Sequence, residues 1–270
     1  MSLPIEDFQF ITQIIKKKSG IFLAPEKDYL VSSRLLPVAR KNSFVDVKEL
    51  IANVRNTNNK VLITEIIEAI TTNESLFFRD IKTFDFIKRN VIETIASSVP
   101  EKKHFRIWSA ACSTGQEPYS LAMSILDNTQ WNNKYTFEII ATDISQPVLN
   151  KALEGVYSQF EVQRGLPIAL LLKHFVQQEG NWKIKDNIKS MVNFSKINLI
   201  EDFVNLGMFD IILCRNVMIY FDAETKAKIL DNISKLMYNN SYLIIGASET
   251  LMGNEKFQQI NDALGFYKLK

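Results

Sequence analysis

RIWSAACSTGQEPYSLAM, Arg106 to Met123, is the stretch that decides the fold. Ile107, Trp108, Ala110 and Ala111 make a short apolar run, the pattern of a buried strand. Cys112, Ser113, Thr114 and Gly115 follow as a tight turn of small residues, and Pro118 then stands where the first turn of a helix tolerates proline. Tyr119, Leu121, Ala122, Ile125 and Leu126 supply the apolar face of that helix. A small-residue turn lets a ligand approach the backbone, and the helix start offers unpaired N–H groups. The dinucleotide fingerprint GxGxxG is absent. Glu117 at the helix start would repel a pyrophosphate, whereas it can accept hydrogen bonds from ribose hydroxyls. The turn therefore favours an adenosine ligand without phosphate, such as S-adenosylmethionine. The plainer alternative is an ordinary strand–turn–helix of an α/β protein.

Outward from this stretch, the pattern changes on either side. Upstream, the first ~90 residues carry apolar residues at helical spacing: Phe8, Ile11, Ile14 and Ile15; Leu30, Leu35, Leu36 and Val38; Leu50, Ile51 and Val54; Leu62, Ile66, Ile67 and Ile70. TTNESLFFRD (Thr71–Asp80) interrupts them, a further helix runs from Phe84 to about Ala96, and SSVPEKKH reads as a linker. Downstream, strand candidates FEIIATD, MVNFSKIN, FDIILCRN, YLIIGAS and GFYKL alternate with helical segments. That order implies a mostly parallel sheet covered on both faces, with ligands at the carboxyl ends of the strands. The expected organisation is an N-terminal all-helical domain over 1–83, a helical linker over 84–104, and a Rossmann-like α/β domain over 105–270. Within the last, Tyr157 to Val192 breaks the alternation: a helix around Ile168–Phe175 and a hairpin in EGNWKIKDN suggest a small inserted β-subdomain at about 176–195.

Composition sets limits. With 270 residues, 46% of them hydrophobic, the chain can bury a real core. A net charge of +2 points to no particular partner. Cys112 and Cys214 have neither metal-ligand spacing nor a disulfide framework and read as reduced thiols, which suits a cytoplasmic protein. No apolar run approaches the ~20 residues of a membrane span, and the N-terminus lacks a secretory pattern. His104 and His174 stand far apart and read as surface residues, so neither a metal nor a histidine base is expected.

Polar residues recur at the predicted strand ends. Asp143 closes FEIIATD, where such folds place an acid on the ribose, although its distance from Gly115 exceeds the usual ~20 residues; the alternative is a helix cap. Arg79 is either a solvated arginine or a bidentate clamp for a carboxylate. Arg215 and Asn216 follow the buried run FDIILC, and Tyr220 either lies in the core or places its ring over a cationic sulfonium. The DPPY/NPPY motif of enzymes that methylate DNA bases is absent, which argues against nucleic acid.

TTNESLFFRD, RIWSAACSTGQEPYSLAM, ATDIS, GVYSQFEVQRGLP, NFSKINL, FDIILCRNVMIYFD and YLIIGASETL, in this order, resemble the chemotaxis receptor methyltransferases, the CheR family. Two departures stand out: the family usually reads NET where this chain has Asn73-Glu74-Ser75, and usually has an acid at Gln116, while Glu117 is kept. The resemblance implies methyl transfer from S-adenosylmethionine to glutamate side chains of chemoreceptors, leaving glutamyl methyl esters and S-adenosylhomocysteine. It assigns Asn73, Ser75 and Arg79 to the methionine end of the cofactor, Glu117 and Asp143 to its adenosine, and Ala111, Asn198, Leu199, Arg215 and Asn216 to the rest of the pocket. Arg215, Tyr220 and Arg79 become the catalytic set. The implied partner is the cytoplasmic helical domain of methyl-accepting receptors, met by a monomer without membrane insertion. Some family members grip a receptor C-terminal pentapeptide through the small subdomain and carry a glycine-containing insertion there. WKIKDNIKSMVNFSKIN (Trp182–Asn198) has no glycine, so dependence on such a tether is not expected.

Basic residues between Phe10 and Val45 (Lys16, Lys17, Lys18, Lys27, Arg34, Arg40 and Lys41 against Glu26 and Asp28) suit an acidic receptor surface, or merely a solvated face. The rival functions are a small-molecule methyltransferase with a helical lid and a non-catalytic, cofactor-binding signalling module.

Overall fold

A computed structural model describes residues 3–132, 134–251, 253–260 and 263–270. The chain begins with four helices: α1 (Ile5–Ser19), α2 (Asp28–Lys41), α3 (Val47–Thr57) and α4 (Lys60–Ile70). Their limits follow from local chemistry. Gly20 takes φ 78° and ends α1, its N–H reaching the Lys16 carbonyl. Asp46 caps α3 by accepting the Glu49 N–H at 2.9 Å. Leu62, Ile63, Ile66, Ile67 and Ile70 make the buried stripe of α4. As expected, the N-terminal region is all-helical.

Two short helices, α5 (Ile81–Phe86) and α6 (Ile92–Ser98), are joined by a π-helical turn over Ile87–Val91. The α/β part then runs β1 (His104–Ala110), α7 (Gln116–Leu126), α8 (Thr129–Asn132), β2 (Thr136–Asp143), α9 (Gln146–Glu154), β3 (Val156–Ser158), α10 (Gln159–Gln163), α11 (Ile168–His174), β4 (Phe175–Gln178), β5 (Asn181–Ile184), α12 (Asp186–Lys189), β6 (Val192–Lys196), β7 (Phe209–Cys214), α13 (Ala223–Ser234), β8 (Met237–Ile244), β9 (Phe257–Gln259) and β10 (Phe266–Leu269).

The main sheet has seven strands in the order β6-β2-β1-β7-β8-β10-β9. Strands β6 to β8 of that order pair in parallel, and β10 closes antiparallel on β8 and β9. Side-chain alternation divides the core by face. Phe105 and Ile107 of β1 pack with Phe84, Ile87, Val91 and Ile92 and with α7. Trp108 and Ala110 point the other way, toward Phe203, α13 and the N-terminal helices. Residues 84–98 therefore lie against the sheet.

The small antiparallel sheet has the order β3-β5-β4, so it draws on Val156–Ser158, upstream of the 176–195 stretch read from the sequence, while Val192–Lys196 joins the main sheet. The reason is pairing: Tyr157 is in register with Trp182, and its hydroxyl donates to the Thr114 carbonyl at 2.7 Å. His174 also departs from the surface placement expected of it. It is buried, with Nε2 2.9 Å from Asp127 Oδ1, which supplies the polar partner its burial requires.

Candidate active site

The chain builds β2 and β6 on one side of β1 and β7 and β8 on the other. The crevice at the carboxyl ends of β1 and β7 is thus the point where the strand order reverses, the usual ligand position in open α/β sheets. A cleft opens there. Loop 71–80, between α4 and α5, forms one wall, and the segment after α1 crosses over it: Ser19, Ile21, Thr71 and Thr72 line the cleft beside the strand ends. Every site residue read from the sequence lines this cleft: Asn73, Ser75, Arg79, Ala111, Glu117, Asp143, Asn198, Leu199, Arg215, Asn216 and Tyr220.

The loops around the cleft hold unusual backbone. Phe78, Asp80, Ala111, Ser113 and Asn216 all take positive φ, between 50° and 58°, without being glycine. Specific hydrogen bonds hold them there. Cys112 N–H donates to the Thr142 carbonyl at 2.9 Å, and Ser113 N–H donates to Asp143 Oδ2 at 2.8 Å. Phe78 N–H donates to the buried Ser120 Oγ at 2.9 Å, while Ser113 Oγ donates to the Asn73 carbonyl at 2.7 Å. Asn216 N–H donates to Glu249 Oε2 at 2.7 Å, an oxygen that also takes the Gly246 N–H. On its far side, loop 71–80 rests on Gly165, where an added Cβ would collide with the Phe77 carbonyl oxygen.

Asp143 accepts one backbone N–H on each oxygen, from Ser113 and, at 2.9 Å, from Ser145. The capping alternative is therefore part of the answer, yet a carboxylate has about four acceptor positions and capacity remains for a ligand. Burial pushes its carboxyl above the usual aspartate range, and the backbone N–H groups of Ser145, Ser113 and Ile144 only partly offset that. Burial likewise pushes the Cys112 and Cys214 thiols up, leaving them protonated and poor nucleophiles. Among the described residues no group of His, Cys, Asp or Glu is placed to hold a metal ion.

Arg79 and Arg215, similar in sequence terms, differ in surroundings. The Arg79 guanidinium lines the cleft and makes no hydrogen bond within the protein among the described residues. Arg215 is spent. Its side chain is 1% exposed and donates to Glu117 Oε2 at 2.9 Å, to Asp80 Oδ2 at 2.6 Å and to the Arg79 carbonyl at 2.9 Å. Its Nε, also buried, has no partner. Glu117 accepts a second hydrogen bond, from Ser109 Oγ at 2.7 Å. Arg215 is thus a clamp between the sheet and loop 71–80, and Glu117 is chiefly its counter-ion. Asp80, the other end of the clamp, was not singled out from the sequence.

Asn198 donates to the Lys18 carbonyl at 2.7 Å, tying the end of β6 to α1. Tyr220 accepts the Phe22 N–H on its backbone carbonyl at 2.8 Å, and its ring is partly buried. Together with the Lys16–Asp222 ion pair at 2.5 Å and the Ile21–Phe221 bridge, these contacts fix the helical domain over the cleft.

Comparison with known proteins follows the same division of the chain. The family model described as "CheR methyltransferase, all-alpha domain" matches residues 6–71, and that described as "CheR methyltransferase, SAM binding domain" matches residues 73–265. A "Chemotaxis protein methyltransferase" of Vibrio anguillarum is 37% identical over 270 residues, covering 98% of this chain and 97% of its own. "Chemotaxis protein methyltransferase Cher2" of Pseudomonas putida is 38% identical over 252 residues, 92% of this chain and 91% of that one. A Borreliella burgdorferi relative of the same description is 35% identical over 263 residues, 96% and 93% of the two chains. With the two family models spanning residues 6–71 and 73–265 and the relatives matched over nearly their whole length, the chain belongs to the CheR methyltransferase family.

Proposed function

We propose that this protein moves the methyl group of S-adenosylmethionine onto glutamate side-chain carboxylates of chemoreceptor cytoplasmic domains, giving methyl esters in chemotactic adaptation. The observation that carries the reading is the pairing of a free guanidinium with a buried acid across one cleft. Arg79 comes from the helical side and Asp143 from the end of β2. Such a site suits a ligand with a carboxylate at one end and a ribose at the other.

The donor set fits that cofactor, which would supply the methyl group. Arg79 would bind its carboxylate bidentately, with Asn73, Ser75 and the backbone at Ala111 beside it. Asp143 would accept the ribose hydroxyls on its remaining acceptor capacity. Leu199, Asn198 and Asn216 would complete the pocket. Glu117 and Arg215 would act on the cofactor through the wall they hold together, and Tyr220 would stand nearest the incoming carboxylate.

A glutamate has an ordinary pKa near ~4.3 and is ionised at neutral pH, so the reaction requires no general base. This suits a cleft whose one lining cysteine, Cys112, is held protonated by burial. The protein's contribution would then be alignment of oxygen, carbon and sulfur, and exclusion of water by the segment crossing from α1. No helix among the described residues is long and apolar enough to cross a membrane, and a monomer acting from the cytoplasm on a receptor's inner domain is the arrangement we infer.

The connection from β5 to β6 holds little but the single turn of α12, which leaves no insertion to shape a peptide site. We therefore place recognition of the receptor away from the small sheet. Radiolabelled methyl transfer to receptor cytoplasmic fragments, followed by mild alkali, tests the function. Carboxyl methyl esters release methanol, and label that survives alkali would overturn the reading. Titration with a receptor C-terminal pentapeptide should give no micromolar binding and no change in Trp182 fluorescence.

A further inference from the structure

The connection from β7 to α13 carries Asn216 and Tyr220 on the cleft wall. One carboxylate, Glu249, holds that connection from behind. After β8 the chain turns back on itself, and the Glu249 N–H donates to the Gly246 carbonyl at 2.9 Å. The turn brings the half-buried Glu249 side chain against Met218, Ile219 and Leu251, on the outer side of the wall. Its Oε2 accepts the Asn216 N–H and the Gly246 N–H, each at 2.7 Å, and its Oε1 accepts the Ile219 N–H at 3.3 Å.

Each of these contacts meets a local need. Asn216 takes φ 58°, a conformation that a non-glycine residue keeps only where its surroundings impose it. Met218–Tyr220 is a single 3₁₀ turn with no side-chain cap from its own flanking residue, so the Ile219 N–H takes the distant carboxylate instead. Gly246 leaves room for the arrangement: a Cβ there would stand 2.5 Å from Asn216 Nδ2 and 2.8 Å from Glu249 Oε2. On its other side Tyr220 is tied to the segment after α1, whose Phe22 N–H donates to the Tyr220 carbonyl at 2.8 Å.

We propose that Glu249 is a positioning residue for methyl transfer: Oε2 fixes Asn216 against the cofactor, and Oε1 fixes the turn that aims Tyr220 at the acceptor carboxylate. The assignment rests on the methyl-ester reading above and adds to it a residue that touches neither substrate. Two oxygens do two separable jobs. Glutamine has only one acceptor oxygen. Placed here it keeps the two 2.7 Å contacts and turns an NH2 group toward the Ile219 N–H. Alanine removes both holds.

The test measures kcat and KM on a receptor cytoplasmic fragment, S-adenosylhomocysteine binding by calorimetry, and Tm. The proteins are wild type, Glu249→Gln, Glu249→Ala, Tyr220→Phe, Glu249→Gln/Tyr220→Phe, and Ser248→Ala as a control on the same turn. Glu249→Gln should lower kcat about tenfold, with KM and the S-adenosylhomocysteine dissociation constant within about threefold of wild type. Glu249→Ala should lower kcat as far and also weaken S-adenosylhomocysteine about tenfold. In the Tyr220→Phe background Glu249→Gln should cost less than about twofold more in kcat, because both act through one phenol. Ser248→Ala should match wild type. A Glu249→Gln protein with wild-type kcat, a loss fully additive with Tyr220→Phe, or an equal loss in Ser248→Ala overturns the assignment while the methylation reading stands. A wild type that esterifies no receptor fragment overturns that reading. The hold on Asn216 is then decided by calorimetry alone, and equal affinities for Glu249→Ala and wild type overturn it.

Discussion

Replacing Arg215 by alanine should damage the fold before it damages the chemistry. The guanidinium is 1% exposed and its carboxylate partner Glu117 13% exposed, so the substitution leaves a nearly buried anion with only the Ser109 hydroxyl. Removing one partner of such a pair costs roughly 3–5 kcal/mol. The Asp80 end adds little, because that side chain is 40% exposed and water can replace the arginine. For a chain of this size each kcal/mol is worth about 2 °C, so Tm should fall by roughly 6–10 °C. Adding Glu117→Gln removes the stranded charge and should restore about half of that loss. Thermal melts of Arg215→Ala, Glu117→Gln and the double variant give the coupling directly. Cofactor affinity should weaken as well, since Asp80 and the Arg79 carbonyl lose their anchor. An Arg215→Ala protein that melts like wild type and loses only kcat would refute the clamp and return Arg215 to the reacting centre.

Asp143→Ala should weaken S-adenosylhomocysteine binding by ~1.5–3 kcal/mol in calorimetry, because two ribose hydroxyls lose their acceptor. Since burial raises its folded pKa, Asp143 takes up a proton above the ordinary aspartate value of 3.8. Cofactor affinity should therefore decline with falling pH before an ordinary aspartate would titrate, and Asp143→Asn should abolish that slope. The sign for stability is opposite: the folded state holds this proton more tightly, so ionising Asp143 lowers stability as pH rises from 3.8 through the raised value, which urea melts against pH can follow. Arg79→Lys keeps the charge and loses the planar fork, so it should bind the cofactor more weakly than wild type and more tightly than Arg79→Ala; equal affinity for all three would make Arg79 a bystander. Tyr220→Phe should lower kcat with inhibitor affinity unchanged, and a loss confined to affinity would move the tyrosine into the binding shell.

The sequence was legible where local chemistry repeats. Small residues after an apolar strand, an acid at the end of β2 and an Arg-Asn pair after β7 placed the cleft, because strand ends in a parallel sheet converge. The separation of Arg79 from Arg215 was not legible. Arg215 finds Glu117 and Asp80 only after the strands order themselves and bring residues 98 and 135 positions apart together. Charge counting over α1 and α2 sees only part of the arrangement: Lys16, Arg34 and Lys41 look free in sequence and are engaged in the fold, whereas Lys17 and Lys18 make no ion pair among the described residues. His174 read as a surface residue because nothing nearby in sequence announces Asp127.

Gly165 rests on the Phe77 carbonyl from the side of the small sheet, at φ 89°. Arg164 beside it pairs with Glu74 at 2.8 Å on the same loop. Whatever shifts the small sheet must therefore shift the strand of chain that presents Arg79. Any molecule that displaced the small sheet would by this contact alter the cofactor's dissociation constant, and linkage would make the cofactor alter that molecule's by the same factor. A face with no contact to the methyl group thus bears, through Gly165 and Arg164, on the loop that presents Arg79.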